Sequence, residues 1–333
     1  MNTEIAGNTR TVTELPAEIA VNRDELINLR AGARGLTLKP RQSRGSVLSG
    51  QHQSRFRGRG MDYLESRHYQ PGDDVRNFDW RVTARTSQPH IKLYVEEREK
   101  PVVILTDLSA SMSMASQGAF KSVIAARVTA LLGWVAVAQG DRVGGLVYRS
   151  PEEHIEQKPQ GGRRGILRFI DALTRLGQPH TDFDAEHAGL PVNILERVTH
   201  MTRPGSQLII ISDFYYLNAQ SREYLQKLQQ HNNVLAIQIV DPLELSAPPT
   251  GEYGISDGVH SWRMNLDSSR QQQRLERVLS TRQQQIDALF SELGIPMLQI
   301  QTADDVKTVL HHELTRKPTS YMGNILMQGE ASV

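Results

Sequence analysis

Two strongly apolar stretches, each of which ends in an aspartate, constrain the fold of this chain more than any other feature of its sequence. The first is PVVILTDLSASMS, residues 101–113, in which four apolar residues lead to Asp107. The second is LIIISD, residues 208–213, in which four apolar residues lead to Asp213. A short, continuous apolar run of this kind indicates a strand that is buried on both faces of a sheet.

Elsewhere in the chain, patterns typical of strands alternate with patterns typical of helices. Further strands are predicted at 91–97, 142–149, 153–158, 234–240, 259–264 and 295–300. Helices are predicted at about 22–31, 120–139, 164–176, 191–201, 219–230, 268–293 and 303–314. Such alternation is typical of a parallel sheet with crossover helices. We therefore predict an α/β fold: a doubly wound, mainly parallel, Rossmann-like sheet with helices on both faces, preceded by an N-terminal extension.

Changes in composition divide the chain into four regions. We predict a basic, partly flexible arm with a short helix at 1–57, a segment at 58–100 that packs on the main domain, the α/β domain at 101–315, and a tail at 316–333. Residues 26–61 contain eight arginines and lysines and no acid. This arm is either a solvated linker or an anion-binding segment, so nucleic-acid binding by the arm stays open as an alternative. The second region predicts an ion-pair network, formed by Asp73, Asp74, Asp79, Arg76, Arg81 and Arg85.

The composition excludes several kinds of site. The chain has no cysteine, which excludes disulfides, thiolate zinc sites and a cysteine nucleophile. Its formal net charge of +1 gives no bulk electrostatic argument for binding to nucleic acid or to a membrane surface. No run of eighteen apolar residues occurs, and the N-terminus lacks the basic start and apolar core of a signal peptide. We therefore expect a cytoplasmic protein without a membrane span.

Hydroxyl groups accompany the two acid-ended strands. Ser109 and Ser111 follow Asp107 at a spacing of two residues. Carboxyl ends of parallel strands meet at one edge of a sheet, and ligands bind there at the point where the strand order reverses. Carboxylate and hydroxyl oxygens are the ligands that Mg²⁺ prefers. We predict a metal site formed by Asp107, Ser109, Ser111, Thr181 and Asp213, with Mg²⁺ as the ion and Mn²⁺ or Ca²⁺ as alternatives.

The predicted ligand set has a chemical consequence. Thr181 is its third hydroxyl, chosen because it lies in a loop between two helices on the same rim of the sheet. Since most of these oxygens are neutral, a bound cation stays electron-poor and takes a carboxylate from another molecule in its open position. The sequence therefore favours an ion that binds an acidic group of a partner.

Other interpretations of these residues stay open. The two aspartates can instead cap helix N-termini, or they can serve a metal-dependent hydrolase or phosphotransferase. A haloacid-dehalogenase type of phosphotransferase needs a second acid two residues after its nucleophile, where this chain has Ser109. The chain also contains no phosphate-binding glycine loop and no G-x-S-x-G elbow. A second metal site around His180 and His187 is disfavoured, because these histidines lack the i, i+4 spacing of helical ligands.

Two motifs resemble known families. The residues DLSAS at 107–111 resemble the metal-ion-dependent adhesion site, D-x-S-x-S, of von Willebrand factor type A (vWA) domains. By the same resemblance Asp213 corresponds to the later aspartate of that site and Thr181 to its threonine. Upstream, YQPGDDVR at 69–76, with DWR and TAR shortly after it, resembles the signature of domain-of-unknown-function family 58 (DUF58). In that family the signature precedes a vWA domain, and the resemblance covers about residues 58–310.

The resemblance implies a function as well as a fold. Members of the family resemble partners of MoxR-type AAA+ ATPases and are thought to act as adaptors in the assembly or activation of other proteins. Many members carry two transmembrane helices, which are not expected in this chain. The resemblance therefore implies a vWA-like α/β domain in a non-enzymatic, magnesium-dependent protein-binding adaptor, with an Asp or Glu of the partner at the metal.

Overall fold

The computed structural model describes residues 16–38, 61–96, 99–179, 191–215, 217–256 and 261–315. It divides the chain into two compact units, one formed by 44–99 and the other by 1–43 together with 100–333. The domain boundaries expected from the sequence stay predictions.

The described residues form ten β-strands and nine α-helices. The strands are β1 (Met61–His68), β2 (His90–Glu96), β3 (Pro101–Asp107), β4 (Arg142–Tyr148), β5 (His154–Gly161), β6 (Gln207–Ser212), β7 (Asn233–Val240), β8 (Gly251–Ser256), β9 (Ser261–Leu266) and β10 (Met297–Gln301). The helices are α1 (Arg23–Asn28), α2 (Trp80–Thr86), α3 (Lys121–Ala138), α4 (Gly162–Leu176), α5 (Val192–Met201), α6 (Ala219–His231), α7 (Pro242–Leu245), α8 (Ser269–Glu292) and α9 (Val306–Thr315).

The larger unit is built on a six-stranded sheet with the order β10-β7-β6-β3-β4-β5. All neighbouring strands run parallel except β5, which pairs antiparallel with β4 at one edge. The chain moves from β3 outward to β5, then returns to the other side of β3 and continues through β6 and β7 to β10. The predicted mixed α/β fold with a mainly parallel sheet is therefore confirmed, and its strand order reverses between β3 and β6.

Helices cover both faces of this sheet, which explains why its central strands are apolar along their whole length. One core cluster joins the sheet to α1, α3, α4 and α9, and a second joins the opposite face to α5, α6 and α8. In β3, the four residues from Val102 to Leu105 are at most 1% exposed. Burial of a side chain of this size contributes roughly 1.5–3 kcal/mol, so the two acid-ended strands are strong determinants of the fold.

Helix α3 lies at the centre of the first cluster and is buried nearly all round. The sequence predicted one broad apolar face, but burial extends over 83% of the helix. By length and mean hydropathy alone, α3 resembles a membrane span. Its side chains pack against the sheet and against α4 and α9, as in the core helix of a globular domain.

Close approach between β3 and β4 requires glycine, as the sequence predicted for the RVGGLVYR strand. A Cβ atom at Gly145 would collide with the backbone carbonyl oxygen of Ile104 on β3. A Cβ atom at Gly144 would meet the backbone of β5, and the register of β4 with β5 shifts at this point. The two glycines thus allow the strands to pack at normal spacing around a local irregularity.

In the smaller unit, β1 and β2 form an antiparallel pair and α2 begins after Asp79. The sequence predicted β2 but neither β1 nor α2. Asp79 accepts hydrogen bonds from Ser66 Oγ (2.6 Å) and from the backbone N–H of Val82 (3.1 Å), and Asp73 pairs with Arg67 Nη2 (2.8 Å). The predicted ion-pair network is therefore wrong in its pairings, because in the described residues Asp73 pairs with Arg67 of β1 and Asp79 binds Ser66 and the start of α2.

Two further predictions differ from the structure. The stretch after α7 was expected to be a loop followed by one strand, but it contains the antiparallel pair β8 and β9. The first predicted helix is shorter than expected, since α1 ends at Asn28 and continues as a 3₁₀ turn over Leu29–Ala33. Asn22 caps α1 as predicted, accepting a hydrogen bond from the backbone of Glu25 (3.0 Å).

Candidate metal centre

The two strand-end aspartates meet at the point where the strand order reverses. Strands β3 and β6 are parallel neighbours, and Thr106 pairs with Ile211 in their register. Asp107 and Asp213 therefore follow at the same edge of the sheet, and both are nearly inaccessible to solvent. The structure brings these two predicted residues together as the sequence indicated.

Asp107 is held by hydrogen bonds from the loop after β3 and from β6. Its Oδ1 accepts from the backbone N–H of Ser109 (2.9 Å), and its Oδ2 accepts from Ser212 Oγ at the end of β6 (2.6 Å). The buried Tyr148 pairs with Asp107 in the register of β3 and β4. These bonds fix the carboxylate but provide no positive charge.

The two predicted serines lie close to each other beside Asp107. Ser109 Oγ and Ser111 Oγ are 3.4 Å apart, and a 3₁₀ turn at Ala110–Met112 holds them in this arrangement. Two adjacent ligands of an octahedral Mg²⁺ site lie about 3 Å apart, as bond lengths of about 2.1 Å require. The spacing of the two hydroxyls is therefore close to that of a pair that shares one cation.

Lys121 is the functional residue that sequence reasoning missed. It is the first residue of α3 and only 1% exposed. Its Nζ donates to Asp213 Oδ2 (2.9 Å) and to Glu244 Oε1 (2.7 Å). One signal was present in the sequence, since a cation in the first turn of a helix is unfavourable for the helix dipole and needs an acidic partner.

The charges of this cluster are unevenly compensated. Burial would raise the pKa of Asp213, but the neighbouring Lys121 holds that pKa below its usual value. Burial would lower the pKa of Lys121, but the charges of Asp213 and Glu244 raise it well above its usual value. For Asp107, burial and the negative charge of Asp213 both raise the pKa, to about 6. Within the described residues, no lysine, arginine or histidine forms an ion pair with Asp107.

A third strand-end acid, Asp241 after β7, ties down the loop that carries the serines. It accepts hydrogen bonds from the backbone N–H and the hydroxyl of Ser116 (2.7 and 2.6 Å) and from Thr302 Oγ (2.8 Å). Burial would raise the pKa of Asp241, but these hydrogen bonds lower it below its usual value. The sequence indicated only a turn at this position. The backbone N–H of Leu243 also donates to Asp241 (3.0 Å), and this contact is local. Ser116 and Thr302 lie far away in the chain, so no local pattern could have identified them.

The remaining predicted site residue, Thr181, lies in the stretch 180–190, outside the described residues, as do His180 and His187. In the part of the chain that is described, no group of three or more histidines, aspartates and glutamates could hold a metal ion.

The chemistry of the donors at this edge fits a hard divalent cation. Ser109 and Ser111 offer neutral oxygens at a suitable spacing, and Asp107 offers a buried negative charge without a counter-ion. Both carboxylate oxygens of Asp213 already have donors, Lys121 Nζ and the backbone N–H of Tyr215. Asp213 is therefore better suited to balance the charge of a cation than to be its main ligand.

A cleft opens beside this cluster, with a volume of about 510 Å³. Asp213 and Glu244 form part of one wall, and α8 forms the other with Arg274, Arg277 and Arg282. The guanidinium of Arg282 stacks on the ring of Tyr215, 3.4 Å from its centroid, and donates to the backbone carbonyl of the same residue. The cleft therefore connects the acidic cluster to an arginine-rich helix.

Comparison with known proteins places these features in a family. Residues 65–287 match the family described as "Protein of unknown function DUF58". Uncharacterised proteins of Mycobacterium bovis and of two strains of Mycobacterium tuberculosis are 30% identical over 233 residues, which is 69% of this chain and 70% of each relative. A solved structure, the conserved hypothetical protein BatB from Bacteroides thetaiotaomicron, covers 64% of this chain and 96% of its own, with 13% identity and a TM-score of 0.37. This last likeness is too low to support an inference.

Proposed function

The chain belongs to the DUF58 family, and from that membership and the strand-end cluster we propose that it is a non-enzymatic adaptor that binds another protein through a metal ion. In this proposal the α/β unit is a vWA-like domain whose metal-ion-dependent adhesion site is formed by Asp107, Ser109 and Ser111. Thr181 and Asp213 complete the set. An Asp or Glu of the partner binds the ion.

The observation that carries the proposal is the buried, uncompensated charge of Asp107 next to two hydroxyls. An isolated carboxylate in a protein interior is costly unless it is paired, protonated or bound to a metal. A bound Mg²⁺ would supply the missing charge and an attachment point for a carboxylate. The residues of this chain then orient the ion, exclude water from Asp107 and keep Asp213 ionised through Lys121.

The proposed partner is a MoxR-type AAA+ ATPase, and the proposed location is the cytoplasm. Support for this partner comes from the resemblance of the sequence motifs. The strand-end edge of the sheet is the surface on which it would dock. We propose no catalytic step. Divalent-dependent hydrolysis of a phosphoester by the wild type, lost in Asp107→Asn, would replace the adaptor by the enzyme alternative.

Metal binding is tested first on the isolated protein. We expect Mg²⁺ to raise the melting temperature of the wild type after EDTA treatment, because a ligand that binds only the folded state stabilises it. The Asp107→Ala variant and the double variant Ser109→Ala/Ser111→Ala should lose this shift. Ser113→Ala is the matched control, since it removes a hydroxyl from the same loop outside the proposed ligand set. An equal shift in all four proteins would exclude this site as the metal centre.

Partner binding is tested by recovery from native lysate in Mg²⁺ and in EDTA. Recovery of an AAA+ ATPase by the wild type in Mg²⁺ alone, and not by Asp107→Ala, is the expected result. Recovery under every condition would keep the adaptor role but move the interface away from the metal. Failure to recover any ATPase, with the metal-induced shift intact, would reject the proposed partner.

A further inference from the structure

We propose that the cleft between the strand-end cluster and α8 binds an acidic segment of the partner, with one carboxylate at the metal and further carboxylates on Arg274 and Arg277. This inference rests on the proposed metal-dependent binding and adds to it the chemistry of the recognised segment. Five properties of the cleft support it: its volume, its arginines, the exposure of α8, the charge of the wall opposite α8 and the spacing of the arginines.

The cleft is large enough for part of a peptide. Its volume of about 510 Å³ lies within the range of roughly 300–1,000 Å³ that is usual for ligand sites. Asp213 belongs to both the cleft wall and the strand-end cluster, so a bound chain can reach from α8 to the metal position.

Two arginines on the α8 wall have no acidic partner in the described part of the chain. Arg274 and Arg277 are exposed and take part in no ion pair there. They differ in this respect from Arg282, which is engaged with Tyr215. Free guanidinium groups on a cleft wall are suited to bind carboxylates, since each presents several N–H donors in a fixed plane.

The first part of α8 is unusually exposed for a helix of 24 residues. Its only buried residues, in the part of the chain that is described, are Ile286 and Phe290 near the C-terminal end. Polar contacts hold the earlier turns, such as the bond from the backbone N–H of Ala247 to Glu276 Oε2 (2.7 Å). Val278, at 59% exposed, adds an apolar contact surface to the cleft.

Charge complementarity identifies the occupant. Residues 269–285 contain four arginines and one glutamate, so this wall attracts acidic chains. The opposite wall carries the opposite sign, because Lys121 alone cannot neutralise Asp213 and Glu244 of that wall and the neighbouring Asp107. Without a divalent ion this wall repels an incoming carboxylate, and with the ion it attracts one. The same acidic segment would therefore bind only in the presence of the metal.

The spacing of the arginines matches an extended acidic chain. Arg274 and Arg277 are three residues apart on the helix, which places their Cβ atoms about 5–6 Å from each other. Alternate side chains of an extended peptide lie on one side and are about 7 Å apart. Two carboxylates separated by one residue can thus reach both guanidinium groups.

The test uses a fluorescein-labelled octapeptide of alternating glutamate and glycine, with a glutamine–glycine octapeptide as its control. Fluorescence anisotropy is measured with the full chain in Mg²⁺ and in EDTA. The key variant is Arg274→Glu/Arg277→Glu. The matched variant, Arg163→Glu/Arg164→Glu, makes the same charge change at the start of α4, on the opposite face of the sheet.

The inference expects binding of the glutamate peptide by the wild type in Mg²⁺ alone, and no binding of the glutamine peptide. Loss of two exposed ion pairs should weaken binding by roughly tenfold or more in the α8 variant. The α4 variant should bind like the wild type, and both variants should keep the Mg²⁺-induced rise in melting temperature.

Three results would overturn the inference. Equal peptide binding by the wild type and the α8 variant would show that Arg274 and Arg277 do not take part in recognition. The proposed metal site would not be affected by that result. An equal loss of peptide binding in the α8 and α4 variants would show that binding depends on the net charge of the protein and not on the position of the arginines. Tighter binding of an oligothymidylate than of the peptide, lost in the α8 variant, would assign the cleft to nucleic acid. Absence of the Mg²⁺-induced shift in the wild type would instead reject the proposed function itself.

Discussion

At the scale of single residues, Lys121 decides how the strand-end cluster behaves. A lysine ammonium at 2.7–2.9 Å from two carboxylates acts as a cation that is covalently part of the chain. It compensates one of the two negative charges of Asp213 and Glu244. A divalent ion would then be needed for the remaining charge of that pair and for the charge of Asp107. Because the lysine is buried, it cannot exchange its partners for water without cost.

Replacement of Lys121 by methionine should therefore destabilise the protein strongly. Removing one partner of a buried ion pair leaves an uncompensated charge and typically costs about 3–5 kcal/mol. We expect a loss of this size in the free energy of unfolding, measured by urea denaturation in EDTA.

The double variant Lys121→Met/Asp213→Asn should recover part of that stability, since the isolated charge is removed as well. Mg²⁺ should also stabilise Lys121→Met more than it stabilises the wild type. A loss below about 1 kcal/mol, the usual value for an exposed pair, would show that the ion pair is open to solvent.

The raised pKa of Asp107 predicts a specific pH dependence. A carboxyl whose pKa in the folded state, about 6, lies above its usual value binds protons more tightly when the protein is folded. Its contribution to stability is therefore greatest in acid, falls as the pH rises from about 4 to about 6, and is constant above that.

The free energy of unfolding of the wild type in EDTA should accordingly fall relative to that of Asp107→Asn over this pH window, by on the order of 3 kcal/mol. Urea denaturation of both proteins at a series of pH values measures this difference. In Mg²⁺ the difference should shrink, because the ion stabilises the ionised carboxylate. A difference independent of pH would mean that Asp107 has an ordinary pKa.

At the scale of elements, the loop after β3 is positioned by contacts on both sides. Ser109 and Ser111 lie at its start, and Asp241 binds its middle through Ser116. Near its end, Gly118 adopts a left-handed conformation (φ +72°) and packs directly on the backbone carbonyl oxygen of Thr302. The loop is thus fixed against the ends of β7 and β10 before any ion binds.

Substitution of Gly118 by alanine should disturb this loop. The left-handed conformation costs an alanine about 1–2 kcal/mol, and the new methyl group also collides with Thr302. Gly205→Ala is the matched control, because Gly205 has φ +85° and open space around its Cβ position.

Differential scanning fluorimetry should show a clearly larger loss of melting temperature for Gly118→Ala than for Gly205→Ala. Gly118→Ala alone should also weaken Mg²⁺ binding. Equal effects of the two substitutions would mean that the loop accommodates the new methyl group without further loss of stability. The contact of Gly118 with Thr302 would then not be needed to position the site.

Helices α3 and α8 should differ in their local stability. Burial protects α3 nearly all round, whereas the first turns of α8 have no buried residue in the described structure. Amide hydrogens in well-packed elements exchange only through large unfolding events. Hydrogen exchange followed by mass spectrometry should therefore label residues 269–285 much earlier than residues 121–138. Equal protection of both stretches would indicate that α8 packs more firmly than its burial suggests.

At the scale of the whole molecule, the central sheet and the meeting of Asp107 with Asp213 were predictable, because continuous apolar runs report burial on both faces directly. Lys121 and Asp241 were not, since the partners that tie them to other elements lie 61 to 125 positions away in the chain. Strand β1 was missed because its alternation of apolar and polar residues is weak. The role of Thr181 stays a prediction, as it lies outside the described residues.

One edge of the sheet also limits how this protein can associate with other proteins. Strand β5 is an edge strand, and it contains Lys158 and Pro159 next to the irregularity at Gly144. Proline has no backbone N–H to donate, and edge lysines disfavour the addition of another strand. These two residues protect the edge against intermolecular β-pairing, so that self-association into extended sheets is disfavoured there. Recognition of other molecules is left to side chains rather than to backbone on that side of the domain.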